Sequence, residues 1–381
     1  MDQLNSIPAL VLQRSMVHGS ETILRTKNRG IWKAVTWSQL EATVRQIGSA
    51  LLAADVARGD VVAILSETRP EAAYADLAIL GCGAASVAID PDDDADRVCH
   101  ILSSSGSRLA FVENEEQLDK LLTVRDRCPA LSRIVVFDMK GLRDFADATC
   151  VSLDAFVDAE AGPAGHWDAA IHAIEADQPA VVQFPRGEST GMARTLTHGD
   201  LLHMIGAARS SLSLRPNDER LAVLRLADMT ERVWGLYLAL DGRCISNSPE
   251  GPDTVLENLR ELQPPILGAD AAVWNHLHAL AAARAVAATS TQRLAYDWAV
   301  RAGRLGGAMG RLAEPLVLRP VRREFGLNKV RLAYVGGGSV SPAALDWAKS
   351  LGIAIERVEE QAAGSGQSDE RYRTLLHNAY A

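Results

Sequence analysis

Between residues 38 and 138, short apolar runs alternate with amphipathic stretches of helical period. A capping box at 38–41 predicts the start of one helix, whose apolar face is Leu40, Val44, Ile47 and Leu51. The other predicted helices cover 70–78, the stretch after the acidic run 92–96, and 115–125; the predicted strands are 61–65, 86–89, 108–113 and 133–138. Strands separated by helices of this length favour a parallel sheet with right-handed crossovers.

The second half of the chain repeats this alternation after a polar stretch at 139–178. The sequence Gly-Pro-Ala-Gly at 162–165 is typical of a domain boundary, so we predict one α/β subdomain over 1–165 and a second over 166–381. The second contains an Ala- and Arg-rich helical insert at about 275–325. Strands are predicted at 329–335 and 353–358, with a helix between them that Ser341 and Pro342 open and Gly352 ends.

Composition narrows the class of protein. The chain has 381 residues, of which 48% are hydrophobic, enough for a large core in two or three domains of ~150 residues each. Its net charge of −9 argues against a nucleic-acid partner, which would need cations against phosphates. No apolar run approaches the ~20 residues of a membrane span, and no secretory signal is visible. Five cysteines without a Cys-x-x-Cys pair indicate reduced thiols in a cytoplasmic protein.

Five stretches in order along the chain carry a family pattern: KNRGIW at 27–32, GDVVAIL at 59–65, VENEEQLDKLL at 112–122, ERVWGLY at 231–237 and VLENLRE at 255–261. Together they resemble the AMP-forming long-chain acyl-CoA synthetases of the adenylate-forming superfamily. The resemblance implies two mostly parallel α/β subdomains, as in the N-terminal domain of those enzymes, with the third subdomain and the C-terminal domain absent. It also implies a two-step reaction, in which a carboxylate attacks ATP with the help of Mg²⁺ and CoA then displaces AMP.

The resemblance also implies site residues. The family's phosphate loop corresponds to 185–195, and the candidate nucleotide contacts that follow from the resemblance are Gly187, Ser189, Thr190, Gly191, Arg194, Gly337 and Gln361. Arg194 would supply the charge of the family's lysine, and Gly337 matches the glycine of the adenine-facing turn. Asp228 stands where the family has a histidine or aromatic residue lining the acyl site, and Trp234 and Trp274 are further candidates for that wall. Core packing is the alternative role of both tryptophans.

Several family features are missing. Pro185 removes a backbone donor beside the loop, and Glu188 places an anion where phosphates would bind. At 359–363 the sequence EEQAA replaces the family's Tyr-Gly-x-Thr-Glu, which removes the adenine platform and the carboxylate that holds Mg²⁺. The family's hinge and lysine-bearing domain would follow the last residue. These losses predict a degenerate, truncated homologue that does not adenylate, with no predicted metal site.

Three roles fit that prediction: acyl or acyl-thioester binding, ATP-independent chemistry, and an accessory role in a biosynthetic complex. A protein partner or a second copy would then cover the face that the missing domain normally occupies. A residual AMP-forming ligase is the alternative, and only in that case are ATP or AMP, Mg²⁺ and CoA implied as cofactors.

A serine hydrolase or thioesterase is a further alternative. The sequence Gly-Glu-Ser-Thr-Gly at 187–191 matches a nucleophile elbow after the apolar strand 180–184, with Ser189 as nucleophile. The candidate bases are His276, His278 and His377, and the candidate orienting acids are Asp228 and Asp270. An elbow opens directly into a helix, whereas 194–197 is predicted to be extended, which favours a remnant phosphate loop.

Overall fold

The computed structural model describes residues 4–159, 165–185, 193–305 and 307–358. The chain divides into two compact units. The first comprises Met1–Leu24, Ala34–Gly206 and Arg225–Asp241, and the second comprises Arg25–Lys33, Ala207–Leu224 and Gly242–Ala381. Each unit has its own sheet and core.

The strands of the described residues are β1 (Thr22–Asn28), β2 (Ile31–Thr36), β3 (Val61–Leu65), β4 (Ala85–Ile89), β5 (Leu109–Val112), β6 (Arg133–Val136), β7 (Cys150–Ser152), β8 (Pro179–Gln183), β9 (Arg194–Thr197), β10 (Glu219–Leu221), β11 (Ile245–Ser248), β12 (Ile266–Ala269), β13 (Leu332–Val335) and β14 (Ile355–Arg357).

The α-helices are α1 (Ile7–His18), α2 (Trp37–Ala53), α3 (Pro70–Gly81), α4 (Ala95–Ser105), α5 (Glu115–Leu122), α6 (Leu153–Ala159), α7 (His166–His172), α8 (His198–Ser211), α9 (Leu238–Gly242), α10 (Val255–Leu262), α11 (Ala271–Ala287), α12 (Ser290–Leu305), α13 (Gly307–Ala313), α14 (Arg319–Glu324) and α15 (Pro342–Ser350). Of two π-helices, Thr230–Tyr237 leads into α9, and Glu314–Leu318 joins α13 to α14.

The sheet of the first unit has the order β7-β6-β5-β3-β4-β8-β9. All neighbouring strands are parallel except β9, which runs antiparallel to β8 with Gln183 opposite Arg194. Val87, Leu102 and Leu118 belong to one core cluster on this sheet. The predicted α/β class and the predicted strand Val61–Leu65 are confirmed, because continuous apolar runs of this length suit a sheet buried on both faces.

The N-cap of helix α2 lies two residues before the predicted one. Thr36 is the N-cap residue: its hydroxyl accepts the Gln39 N–H, and the Gln39 side chain accepts the Thr36 N–H. The prediction that Ser38 and Glu41 form the capping box is therefore wrong. The apolar face was predicted correctly, since Leu40, Ile47 and Leu51 are buried. The helical period is the same from either start, so the period locates the face and leaves the cap open.

The predicted boundary at 165 does not coincide with the division into compact units. Strand β8 lies beyond that boundary and pairs in parallel with β4, with Ser86 opposite Val181. The Trp167 side chain is 3% exposed and fills the space above two glycines, since a Cβ atom added to Gly48 or Gly81 would lie about 2 Å from its ring. Backbone pairing and this aromatic contact hold the residues after 165 in the first unit.

The sheet of the second unit has the order β14-β13-β12-β10-β11-β1-β2, and β10 to β14 pair in parallel. Its core contains Leu267, Val335 and Trp347. Helices α11 to α14 fill 271–324, where the helical insert is predicted. Helix α15 starts as predicted, with Pro342 in its first turn and the Ser341 hydroxyl accepting the Ala344 N–H.

Candidate functional site

The predicted phosphate loop is described only at its two ends. Gly187, Ser189, Thr190 and Gly191 lie outside the described residues, as do Gln361 and His377. Before the loop, the Arg97 guanidinium donates to the Pro185 carbonyl at 2.7 Å and lies 5.8 Å from the centre of the Phe184 ring. After it, Arg194 is exposed on β9. Cations therefore stand on both described sides of the loop.

The order of elements after the loop bears on the hydrolase alternative. Strand β9 is extended, as predicted, and only after it does α8 begin at His198. This differs from the strand-to-helix turn of a nucleophile elbow. In the second unit, the Asp270 carboxylate caps α11 by accepting the Val273 N–H at 2.8 Å. His276 on that helix is exposed.

An ion-paired cluster occupies the carboxyl-terminal edge of the first unit's sheet. Arg225 pairs with three carboxylates: Asp90, Asp92 at 2.7 Å and Glu67 at 3.3 Å. Glu67 follows β3, and both aspartates follow β4, the strand next to β8. Ligands of parallel α/β sheets bind outside this edge. The cluster therefore lies at the part of the unit where a ligand is expected.

Among the residues that the structure describes, this cluster holds more carboxylates than cations. Burial raises the pKa of Glu67, and the nearby Arg225 guanidinium opposes that shift. Glu113, at the end of β5, accepts the Glu67 N–H at 2.7 Å and contacts Arg69 at 3.5 Å. A polyanion brought to this edge would meet these carboxylates at close range.

Asp228 has a structural partner. Its side chain is fully buried, and Oδ1 accepts the Thr230 N–H at 2.8 Å at the start of the π-helix Thr230–Tyr237. Trp234, within that π-helix, is half-buried. The Gln183 amide, at the end of β8, donates to the Ala227 carbonyl at 3.2 Å. These contacts join the π-helix to the strand that leads into the predicted phosphate loop.

A fully buried polar network lies beneath the π-helix. The Asp76 carboxylate accepts from Arg232, Ser86 and Tyr237, each at 2.6 Å, and the Arg232 guanidinium also donates to the Ser86 hydroxyl at 2.9 Å. The Arg232 and Asp76 side chains are both 0% exposed. A buried charge pair of this kind requires its mutual hydrogen bonds, since removing either partner leaves an uncompensated ion.

His198 is buried close to this network. Burial lowers the pKa of His198 to about 4, against the opposing pull of the Asp76 carboxylate. Neither ring nitrogen has a hydrogen-bond partner among the described residues. The imidazole is therefore neutral at neutral pH.

Because the pKa of His198 is lowered in the folded chain, we expect the free energy of unfolding to decrease in acid. As the pH falls from about 6.5 to 4, an unfolded chain binds a proton that the folded chain does not, so the free energy of unfolding should drop by about 3 kcal/mol. Urea unfolding across this range should show a flatter pH dependence for His198→Leu than for the unmodified chain. His203→Leu, an exposed position on the same helix, is the control and should keep the full dependence. Equal curves for both variants would contradict the prediction.

The second unit holds two further predicted residues. Gly337 is exposed, with φ of +67°, in the turn that follows β13. The Arg357 guanidinium donates to the Gly338 carbonyl of that turn at 3.3 Å. Trp274 is 1% exposed in the unit's core, and its indole N–H donates to the Tyr334 carbonyl at 3.4 Å. Trp274 therefore packs within this core.

Sequence reasoning missed Arg225 and Asp76 as centres of polar clusters. Arg225 was assigned no role from the sequence, although the carboxylates that follow two apolar strands are a signal for a cationic partner. Asp76 lies among apolar residues beyond the first turn of α3, whose other carboxylate is Glu71, and a carboxylate within such an apolar stretch points to a buried partner.

Two searches of the described ranges were negative. No group of three or more His, Cys, Asp or Glu side chains in these ranges could hold a metal ion. No helix in them combines the length and the apolar character needed to cross a bilayer.

Comparisons with known proteins extend these observations. The profile of the family described as "AMP-binding enzyme" matches residues 13–360. The long-chain-fatty-acid–CoA ligase FadD15 of Mycobacterium bovis is 24% identical over 368 residues, which are 92% of this chain and 59% of that protein. The long-chain-fatty-acid–CoA ligase ACSBG2 of Rattus norvegicus is 22% identical over 384 residues, 95% of this chain and 57% of that protein. The chain thus spans less than two thirds of the length of these curated relatives.

Solved structures show the same fold. The A domain of carboxylic acid reductase from Segniliparus rugosus, in complex with AMP and a co-purified carboxylic acid, gives a TM-score of 0.70 at 15% identity, over 94% of this chain and 60% of that one. The N-terminal domain of FACL13 from Mycobacterium tuberculosis gives 0.67 at 16% identity, over 97% and 80%. With a family profile matched over most of its length and a fold shared with these structures, the chain belongs to the AMP-binding enzyme family.

Proposed function

We propose that the protein binds an acyl group or an acyl thioester without adenylating it. The observation that carries this proposal is the cluster around Arg225 at the carboxyl-terminal edge of the first unit's sheet. Arg225 stands where the long-chain synthetases have the proline of their acyl-site stretch. Asp90, Asp92 and Glu67 engage it, and Glu188 adds a further carboxylate to the predicted loop.

Electrostatics gives the reason for excluding nucleotide. Two unit charges about 4 Å apart interact with about 1 kcal/mol in water and several-fold more near a protein surface, so several carboxylates oppose a triphosphate strongly. Mg²⁺ would have to draw these carboxylates away from the guanidinium that they already bind. The described part of this edge therefore does not fit a nucleotide–magnesium complex.

Asp228 supports the same proposal from the acyl side. At the position where the synthetases carry a ring, this chain has the Asp228 carboxylate, which accepts the Thr230 N–H at the start of the π-helix. A carboxylate that binds the backbone in place of a ring supports a chain that keeps the family's fold but not its complete acyl and nucleotide sites. An acyl chain needs an apolar wall and no phosphate cradle, so acyl binding asks less of the altered loop than adenylation does.

Two titrations test the proposal on the full chain. We expect calorimetry to show no heat with ATP and Mg²⁺ up to millimolar nucleotide, and micromolar binding of octanoyl pantetheine, an acyl thioester that carries no phosphate. A pyrophosphate-release assay with fatty acid, ATP and CoA should stay at background. ATP binding together with AMP formation would overturn the proposal in favour of a residual ligase. Absence of octanoyl-pantetheine binding would overturn its acyl part.

The hydrolase alternative has its own readout. A fluorophosphonate probe should leave the chain unlabelled, because β9 separates the predicted loop from α8. Labelling that disappears in Ser189→Ala, with hydrolysis of an acyl thioester, would replace the proposal with a thioesterase.

A further inference from the structure

Exposed apolar side chains concentrate in the helical insert of the second unit. Of the nine large apolar side chains that are exposed in the described part of the chain, five lie between residues 286 and 316. Three of them follow one another on a single helical run: Met309 is 52% exposed, Leu312 57% and Leu316 68%. Soluble proteins tolerate scattered exposed leucines, but a row of them marks a contact surface.

These three residues lie on one side of a continuous helical run. Helix α13, the π-helix Glu314–Leu318 and α14 follow one another without a break from Gly307 to Glu324. Ala313 and Leu318 on this run are buried in the unit's core. Because the buried positions fix the inner side, the exposed ones form a single outer stripe.

Unpaired cations extend this stripe. Arg311, Arg319 and Arg323 are exposed, and none has a side-chain hydrogen bond or ion pair within the described residues. By contrast, Arg322 between them pairs with Glu314 and donates to the Leu351 carbonyl. We define the basic apolar stripe as Met309, Arg311, Leu312, Leu316, Arg319 and Arg323.

The charge of the surrounding segment departs from that of the whole chain. Residues 286–325 contain seven arginines and three acidic residues, whereas the chain carries a net charge of −9. An anionic surface attracts this positive segment and repels the negatively charged remainder of the protein, so the segment faces the surface on approach.

We propose that the basic apolar stripe docks the protein on an anionic lipid surface. Met309, Leu312 and Leu316 would enter the boundary between headgroups and acyl chains. The three arginines would stay at the level of the lipid phosphates, where their long stems let the guanidinium reach the charge. Long apolar and cationic side chains alternate on the outer side of this helical run, and an anionic lipid surface offers an apolar layer beneath a layer of phosphates. An acidic protein partner would instead need carboxylates that match the three arginines. This contact lies in the interface plane and requires no spanning helix.

Vesicle flotation of the full chain tests the proposal. We expect the protein to float with vesicles of phosphatidylcholine and phosphatidylglycerol, to remain behind with pure phosphatidylcholine, and to be released by high salt. The triple variant Arg311→Gln, Arg319→Gln, Arg323→Gln should bind at least tenfold more weakly, since each basic residue near an anionic surface contributes about fivefold. Leu312→Glu with Leu316→Glu should lose binding to a similar extent.

Matched substitutions separate this surface from general effects. Met16→Glu places the same charge on another exposed apolar position, 75% exposed in the first unit, and should leave flotation unchanged. Equal loss in that control, or equal binding to neutral vesicles, would overturn the proposal. A concentration-dependent dimer in light scattering that disappears in the stripe variants, without vesicle binding, would assign the stripe to a second copy instead. Calorimetry with octanoyl pantetheine on the same variants keeps this result separate from the proposed function.

Discussion

Replacing Asp76 with Ala is expected to lower the free energy of unfolding by about 3–5 kcal/mol, because the substitution leaves the fully buried Arg232 guanidinium without its counter-charge. The Asp76 carboxylate also accepts from Ser86 and Tyr237, so two further buried hydroxyls lose a partner. Urea unfolding followed by circular dichroism would measure the change as a lower midpoint.

The control for Asp76→Ala is an ion pair of the same unit at the surface. Arg58 and Glu175 lie 3.1 Å apart with side chains that are 63% and 67% exposed. Glu175→Ala should change the free energy of unfolding by at most about 1 kcal/mol, since water and side-chain entropy cancel most of an exposed pair. If the two variants unfolded at the same midpoint, the Asp76 network would not carry the stability assigned to it.

The second large effect is expected at Trp167. Trp167→Ala should destabilise the protein by about 3–5 kcal/mol, because it leaves a cavity above the two glycines of α2 and α3 that the ring covers. Gly81→Ala tests the same contact from the other side. Its Cβ would lie 2.0 Å from the indole ring, so a cost of about 1–3 kcal/mol or more is expected from overpacking.

Gly206→Ala is the matched control for this pair. It makes the same substitution within α8 of the same unit, where, among the described residues, no atom beyond its chain neighbours and its own helix backbone lies within 4 Å of the added Cβ. Because alanine suits a helix better than glycine, Gly206→Ala should be neutral or stabilising by up to about 1 kcal/mol. If Gly81→Ala and Gly206→Ala destabilised the protein equally, packing of Trp167 on Gly81 would not explain why the residues after 165 stay in the first unit.

The matched profile and the shared fold place the chain in the AMP-binding enzyme family. The loss of adenylation is a proposal that rests on Arg225 and its carboxylates, together with residues outside the described ranges. The two titrations test the loss of adenylation separately from family membership, because a chain can keep the fold of a ligase while its charges exclude the nucleotide.

By itself, the sequence determined the local elements of this protein. Strand β3 and helix α15 begin where apolar runs and caps predicted, because hydrophobic period and capping residues act within a few positions of each other. Motifs spread along the chain were sufficient to identify the family. Cap placement at Thr36 was missed, since two neighbouring hydroxyl residues both fitted the pattern.

Only the tertiary structure decided which distant side chains meet. Arg225 reaches Asp90 across 135 residues, Arg232 reaches Asp76 across 156, and the Trp167 ring covers two glycines from other helices. No local period encodes such contacts, because they depend on strand order and on the volume left between packed helices. For the same reason, a boundary read from glycine and proline at 162–165 did not match the compact units, as β8 returns to pair with β4.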